Sequence, residues 1–168
     1  MPTPFVHLHT HTTYSLLDST TLLDPLIEHV RWLKQPAVAI TDHGNLFGTI
    51  PFYTKARAGG IKPIIGCEFY MAKGSLLDKK PPEGPRDFYH LILLAQNSLG
   101  YQNLIRLVSH GYTEGFYYKP RIDKSLLRSH SSGLIALSGC LDGEIPTLLR
   151  QEQFTSASVA AQDFLDIF

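Results

Sequence analysis

Cysteine is scarce in this sequence. Only Cys67 and Cys140 occur in 168 residues, and neither belongs to a Cys-x-x-Cys pair. Two cysteines so far apart argue against a disulfide framework and favour a reducing cytosol as the compartment. The sequence also lacks an apolar run of membrane length, and no basic region followed by an apolar core opens the chain. We therefore expect a soluble cytoplasmic protein that is neither exported nor bound to a membrane.

An excess of positive charge is also absent. Fifteen Lys and Arg residues balance fifteen Asp and Glu residues, for a formal net charge of +0. A domain that holds nucleic acid by its surface charge would be basic, so any phosphate binding must come from a local site. The 43% hydrophobic content of the 168 residues is sufficient for the core of one domain, or of a piece of a larger one.

The most informative stretch is a run of alternating histidines, His-Leu-His-Thr-His, at residues 7–11. Its valine and threonine neighbours favour a strand, in which alternate side chains share one face. At a content of 8 histidines in 168 residues, chance gives about 0.02 such runs per chain. Neutral imidazole is a common zinc ligand, so the run predicts a metal site rather than merely a polar sheet face. For His7, deeper in the strand, an interior histidine with satisfied hydrogen bonds is the alternative.

Strands and helices are predicted to alternate along the rest of the chain. Strands are predicted over 37–41, 62–70, 88–96 and 134–137. Helices are predicted from Pro25, capped by Asp24, from Pro51 to the glycines at 59–60, and over 101–108, 145–150 and 156–168. Residues 74–87 are predicted to be an exposed insertion, and residues 115–123 a loop. Repeated strand–helix units imply a parallel α/β sheet, either open or closed into a barrel.

Several polar side chains fall at the predicted strand ends, where active sites of parallel α/β folds assemble. These candidate metal ligands are His9, His11, Asp18, His43, Glu68, His90 and Cys140. Seven potential ligands exceed the needs of one tetrahedral ion. A mixed nitrogen, oxygen and thiolate set suits two or three transition-metal ions bridged by carboxylates, and phosphoester hydrolysis is the reaction that fits such a set best.

Each candidate has a structural alternative. Asp18 and Asp42 could cap helices or turns, Glu68 could pair with a lysine, and His90 could be a core histidine bonded to backbone. Cys67 alternates with Glu68 along a strand, so it is predicted to pack in the core.

Arg121 lies in an aromatic loop beside a proline. It is the best candidate for a phosphate contact, because guanidinium pairs bidentately with phosphate oxygens. The alternative is a surface arginine that bonds a nearby carbonyl.

The sequence resembles the PHP domain. The similarity is carried by the histidine run with Tyr-Ser-Leu-Leu-Asp at 14–18, Thr-Asp-His-Gly-Asn-Leu-Phe-Gly at 41–48, Pro-Ile-Ile-Gly-Cys-Glu at 63–68 and His-Leu-Ile-Leu-Leu-Ala-Gln-Asn at 90–97. Lys-Pro-Arg-Ile-Asp at 119–123 and Ala-Leu-Ser-Gly-Cys-Leu-Asp-Gly-Glu-Ile at 136–145 are similar to the version at the N-terminus of bacterial DNA polymerase III alpha subunits.

The resemblance implies a distorted (β/α)7 barrel with a trinuclear metal site at its strand ends. All seven candidate ligands match ligand positions of that family, whereas Ser19 stands where the family usually has glycine. The family's last motif, Asp-x-His, and the closing strands are expected beyond Phe168, so residues 1–168 are expected to be the N-terminal part of a PHP domain. Alone, they are expected to be poorly active and prone to associate.

Three functions follow from the resemblance. The first is a segment of a replicative DNA polymerase that binds two or three zinc or manganese ions and removes nucleotides from DNA 3′ ends, a 3′–5′ exonuclease for proofreading. The second is a structural module that supports the rest of the polymerase chain or docks a proofreading or other replisome subunit. The third is a free-standing phosphatase of the histidinol-phosphate type.

Overall fold

The computed structural model describes residues 5–79 and 88–168 as a mixed α/β fold. Within these ranges the strands are β1 Ala37–Ile40, β2 Lys62–Ala72, β3 Phe88–Ala95, β4 Phe116–Tyr117, β5 Lys119–Ile122 and β6 Leu134–Leu137. The helices are α1 Leu23–Trp32, α2 Thr49–Ala58, α3 Ser98–Thr113, α4 Lys124–Ser129, α5 Glu144–Arg150 and α6 Phe154–Ile167, with a 3-10 turn at Thr13–Ser15.

Strand β2 is the centre of the sheet. One of its edges pairs antiparallel with β3 over Gly66–Ala72. The other edge changes partner along its length: β1 pairs parallel with Lys62–Ile65, and β5 pairs parallel with Tyr70 and Met71. Between those two partners, a single bridge joins His43 to Glu68. The edge of β2 is therefore forked, and Glu68 lies at the fork.

The sheet is mixed, which corrects the expected all-parallel sheet. The strand order is β4-β5-β2-β3-β6 with β1 beside β2. Strand β3 runs antiparallel to both β2 and β6, and β4 runs antiparallel to β5, whereas β1 and β5 run parallel to β2. A strand buried on both faces is apolar whether it runs parallel or antiparallel, so the apolar runs did not reveal strand direction. Within the described residues the sheet is not closed into a barrel.

The histidine run is an extended segment beside β1 and not a full strand. It makes one bridge, between His7 and Val38. Backbone hydrogen bonds hold both ends of the segment, from Ala39 N–H to His7 O at 2.9 Å and from Thr41 N–H to Thr10 O at 2.8 Å. These bonds fix the histidines next to the carboxyl end of β1.

The predicted loop at 115–123 differs from expectation, because it contains β4 and β5, and Asp123 caps α4 by accepting from Leu126 N–H at 2.9 Å. In the predicted insertion at 74–87, the described residues 74–79 are exposed except for Leu76. Leu76 is buried, and its N–H donates to Asp123 Oδ2 at 2.9 Å. Residues 80–87 lie outside the described residues.

Helix α1 begins at Leu23 without a side-chain cap, and Asp24 instead pairs with Lys55.

Two hydrophobic clusters pack the elements that carry the site residues. Helices α1 and α2 pack on β1, around residues that include Ile27, Val38 and Phe52. Helices α3 and α4 pack on β2 and β3, in a cluster that contains Cys67 and Leu104, which confirms the predicted core position of Cys67. None of the helices in the described parts of the chain has the length and apolarity to cross a membrane.

Candidate metal centre

The centre of the site is the carboxylate of Glu68, whose side chain is 1% exposed. Four imidazoles surround it. Oε2 lies 3.1 Å from His9 Nε2, 2.8 Å from His11 Nε2 and 3.4 Å from His43 Nδ1, and Oε1 lies 2.6 Å from His90 Nδ1. The histidines come from the extended segment, from the end of β1 and from β3, so the forked edge of β2 brings together groups that are distant in sequence.

His9, His11 and Glu68 form a triangle of potential donor atoms. The two Nε2 atoms are 3.0 Å apart, and each lies close to the same carboxylate oxygen. Ligand atoms bound at about 2.1 Å to one ion are separated by about 3 Å, so the triangle has the size of one face of a coordination shell.

A second group contains His43, Glu68 and His90, with donor atoms within 4.8 Å of one another. His43 Nδ1, Glu68 Oε1 and His90 Nδ1 are buried, and none of them has a hydrogen bond of acceptable geometry within the described structure. Buried polar atoms are nearly always hydrogen-bonded, so three such atoms facing one another indicate lone pairs arranged for a cation. The residues therefore fit a metal ion.

The surroundings shift two of the pKa values. Burial alone would raise the pKa of Glu68, but the contacts with His11 and His9 outweigh it and hold that pKa well below its usual range. Burial, followed by the neighbouring His11, lowers the pKa of His43. The lowered pKa values favour the ionised form of Glu68 and the neutral form of His43, which are the forms that metal binding requires.

A third group joins His90 to the turn after β6. Donor atoms of His90, Cys140 and Asp142 lie within 4.8 Å of one another, and His90 N–H donates to Asp142 O at 3.0 Å. Asp142 was missed by the sequence reasoning, although it lies two residues after Cys140 in the same turn. The three groups are linked in series, because Glu68 belongs to the first two and His90 to the last two.

The structure places the other candidates at different distances from this centre. Asp18 is at the rim, 57% exposed, with Oδ2 3.9 Å from His43 Nε2. His7 is exposed, packs edge-on against Phe5 and is in none of the three groups found among the described residues.

The expectation for Arg121 is corrected. Its guanidinium is buried, with the residue only 2% exposed. Nη2 donates to the carbonyl oxygens of Leu76 at 3.2 Å and Asp78 at 2.8 Å, and the group stacks over Tyr117. Arg121 thus ties the 74–79 segment to β5 and does not present a free fork to phosphate. The alternative of an arginine that bonds a carbonyl describes this arrangement better, although Arg121 is buried and not at the surface.

A buried polar network holds the histidine segment in place. Asp42, at the end of β1, accepts from Thr12 N–H at 2.7 Å, from Thr12 Oγ1 at 2.8 Å and from Ser15 Oγ at 2.6 Å. The backbone of Asp42 accepts from Glu68 N–H at 3.1 Å. Asp42 therefore connects the histidine segment to β2, a role close to the turn-capping alternative considered from the sequence. The sequence did not predict this role for Thr12 or Ser15.

Comparison with known proteins gives the family. The PHP domain profile matches residues 7–168. Over 98% of this chain, the sequence is 51% identical to the DNA polymerase III subunit alpha of Thermus aquaticus and 49% identical to that of Borreliella burgdorferi. The chain spans 14% of the length of each of these curated relatives.

Among solved structures, a candidate metal-dependent phosphoesterase of Bifidobacterium adolescentis overlaps 66% of this chain and 34% of its own, with a TM-score of 0.46 and 21% identity. This overlap is partial and carries no information about activity. The family rests instead on the profile match over nearly the whole sequence and on the close relatives: the chain belongs to the PHP domain family and is homologous to a segment of DNA polymerase III subunit alpha.

Proposed function

We propose that this chain is the PHP segment of a replicative DNA polymerase and that it hydrolyses phosphoesters at the 3′ end of DNA with two or three divalent metal ions. The observation that supports the proposal best is the buried carboxylate of Glu68 among four imidazoles. Three of the buried donor atoms, His43 Nδ1, Glu68 Oε1 and His90 Nδ1, have no hydrogen bond of acceptable geometry within the described structure. Zinc or manganese suits this donor set, because imidazole and thiolate are ligands of transition metals rather than of calcium or magnesium.

Each donor group has a proposed role. His9, His11 and Glu68 would hold one ion, and His43, Glu68 and His90 would hold a second. His90, Cys140 and Asp142 would hold a third, with Asp18 closing the rim near His43. Bound ions supply Lewis-acid chemistry, which stabilises charge on the attacking and leaving oxygens of a phosphoester. The chain itself keeps Glu68 ionised and the imidazoles oriented.

The relatives favour a polymerase segment over a free-standing phosphatase. They are named as polymerase subunits, and this chain corresponds to 14% of their length. We therefore propose that residues 1–168 are part of a PHP domain whose partners are the rest of the polymerase chain and other replisome subunits. Its substrate would be a DNA 3′ end in the cytoplasm, and the parent protein would be a nucleotidyltransferase.

The test compares two histidine variants of the full chain. His11→Ala removes one corner of the metal triangle, whereas His29→Ala removes an exposed imidazole that stacks on Trp32 on α1. We expect His11→Ala to lower metal affinity by about 10- to 100-fold or more and to abolish metal-dependent release of nucleotides from a DNA 3′ end. His29→Ala should behave as wild type in both assays.

Three outcomes separate the functions. Full nuclease activity in His11→Ala would assign the activity to another site. Metal binding in wild type without nuclease activity would favour the structural or docking module. Hydrolysis of small phosphate monoesters, with DNA left intact, would favour the phosphatase.

A further inference from the structure

A serine hydroxyl lies between a buried carboxylate and one of the candidate metal-binding imidazoles. Ser15 Oγ is 2.6 Å from Asp42 Oδ1 and 2.9 Å from His11 Nδ1. Ser15 is 5% exposed and Asp42 is 2% exposed, so the contact between them is shielded from water, and the contact with His11 is partly buried. On the other side of the ring, His11 Nε2 faces Glu68 and His9.

The positions of the hydrogens follow from the number of hydrogen-bond donors that are available. An ionised carboxylate only accepts, and a serine hydroxyl has a single hydrogen. The 2.6 Å contact with Asp42 therefore uses the hydrogen of Ser15. Ser15 Oγ must then accept from His11, so His11 carries a hydrogen on Nδ1. In the neutral ring, which is the form that binds a metal ion, the lone pair is then on Nε2. The same oxygen also accepts from His43 N–H at 3.3 Å.

We propose that Ser15 is a positioning residue: together with Asp42, it holds His11 in the Nδ1–H tautomer and directs the Nε2 lone pair into the triangle with His9 and Glu68. The inference depends on the proposed function only to the extent that this triangle binds a metal ion. It adds a residue, and a proton arrangement, that the ligand set by itself does not contain. Hydrogen bonds of this kind fix the tautomer of metal-binding imidazoles and increase their basicity.

The histidine segment has other anchors besides Ser15. Thr12 gives Asp42 two hydrogen bonds of its own, from its N–H and its Oγ1. The backbone of His11 is held separately, because Ser19 Oγ donates to His11 O at 2.8 Å. Two serines thus contact the same histidine, Ser15 at the ring and Ser19 at the carbonyl. Ser19 therefore provides a matched control.

The experiment measures metal binding in the full chain with zinc, by competition against a chromophoric chelator, and with Co²⁺, by its visible absorption. Ser15→Ala should weaken binding at the triangle by about 10- to 100-fold and change the Co²⁺ spectrum. Ser19→Ala should keep both the affinity and the spectrum. Ser15→Thr, which keeps the hydroxyl, should restore binding. Thermal melting of the proteins after a chelator has removed the metal shows, independently of metal binding, whether each variant folds.

Unchanged zinc affinity in Ser15→Ala would overturn the proposal, and so would equal losses in the two alanine variants. A chelated Ser15→Ala protein that melts far below wild type, or fails to fold, would make Ser15 a structural residue and overturn it too. The nuclease assay is independent of this test. If zinc affinity depends on Ser15 but the wild-type protein leaves DNA intact, the exonuclease proposal is contradicted and the proposed role of Ser15 is not.

Discussion

At the scale of single residues, Glu68 has the most consequences, because its two carboxylate oxygens serve two of the three donor groups. Cys140, in contrast, belongs only to the group with His90 and Asp142. The two residues therefore differ in how many ions their removal should release. This difference allows the linked arrangement of the groups to be tested by counting ions.

We predict that Glu68→Gln loses the ions of both the His9–His11 group and the His43–His90 group, because a neutral amide is a poor substitute for a bridging carboxylate. Cys140→Ser should lose only the ion of the third group. Elemental analysis of the purified proteins measures both results. Wild-type metal content in Glu68→Gln would show that the carboxylate is not a ligand.

Arg121 shows where inference at the residue scale failed. The composition of its surroundings, aromatic and basic, suits a phosphate contact as well as it suits a buried tether. The deciding facts are the carbonyls of Leu76 and Asp78, which precede Arg121 by more than 40 residues in the sequence. Pairing between such distant segments leaves no local pattern, so only the folded chain reveals it.

At the scale of elements, α4, α5 and α6 are joined by one lysine. Lys124 Nζ lies 2.9 Å from Glu144 Oε1 and 3.0 Å from Asp163 Oδ2. Burial alone would lower the pKa of Lys124, but the hydrogen bonds to Glu144 and Asp163 outweigh it, so that its pKa is raised above the ordinary value. A raised pKa in the folded state means that the charged lysine stabilises the fold.

We predict that Lys124→Met lowers the free energy of unfolding by about 1 kcal/mol at neutral pH. Because the folded pKa is raised, the contribution is fully present below the unfolded pKa of about 10.4, and it disappears as the pH rises through the folded pKa. The difference between the two proteins should therefore shrink in alkali. Urea unfolding at pH 7 and at a pH above the raised folded pKa of Lys124 measures it.

Lys55→Met is the matched control for that experiment. Its ion pair with Asp24 is exposed, at 41% and 66% of the two side chains, so the loss should be a few tenths of a kcal/mol. An equal loss of unfolding free energy in the two variants, or a Lys124→Met effect that does not change with pH, would contradict the stabilising role of Lys124.

Element positions were largely predictable from the sequence, and element pairing was not. The apolar run at 37–41 and the glycines at 59–60 predicted β1 and the end of α2, because burial and turn chemistry are local. The hairpin of β4 and β5 was missed because its strands are only two and four residues long. The sequence pointed to His9, His11, His43, Glu68, His90 and Cys140, which the structure brings together, because the histidine run and the strand-end positions are visible in it, whereas Asp142 was missed. The sequence did not show that Glu68 belongs to two donor groups at once, because this depends on the forked edge of β2.

At the scale of the whole molecule, the residues of the candidate metal centre come from elements that pack in two different hydrophobic clusters. The histidine segment and His43 belong with β1 and its helices, and Glu68 and His90 belong with β2 and β3. An ion held by donors from both sides would cross-link the two parts of the fold. An ion that binds the folded chain and not the unfolded chain stabilises the fold by mass action.

We predict that zinc at 100 times its dissociation constant raises the free energy of unfolding by about 2.7 kcal/mol. The corresponding rise in melting temperature is about 5–10 °C for a chain of this size. Calorimetry with zinc, with a chelator and with calcium tests this expectation. Calcium should give no shift, since it prefers oxygen ligands, and equal melting curves with zinc and with the chelator would contradict a metal centre.

The sharing of Glu68 between two donor groups has a further consequence for how the ions bind. Two cations on one carboxylate repel each other and divide its charge, so the first ion to bind lowers the affinity for the second. This coupling is reciprocal: each ion changes the affinity for the other by the same factor, whichever binds first. The two sites therefore cannot be assigned fixed, separate dissociation constants, and a titration should show stepwise filling with negative cooperativity. The concentration of free metal in the cell would then set how many ions the site holds.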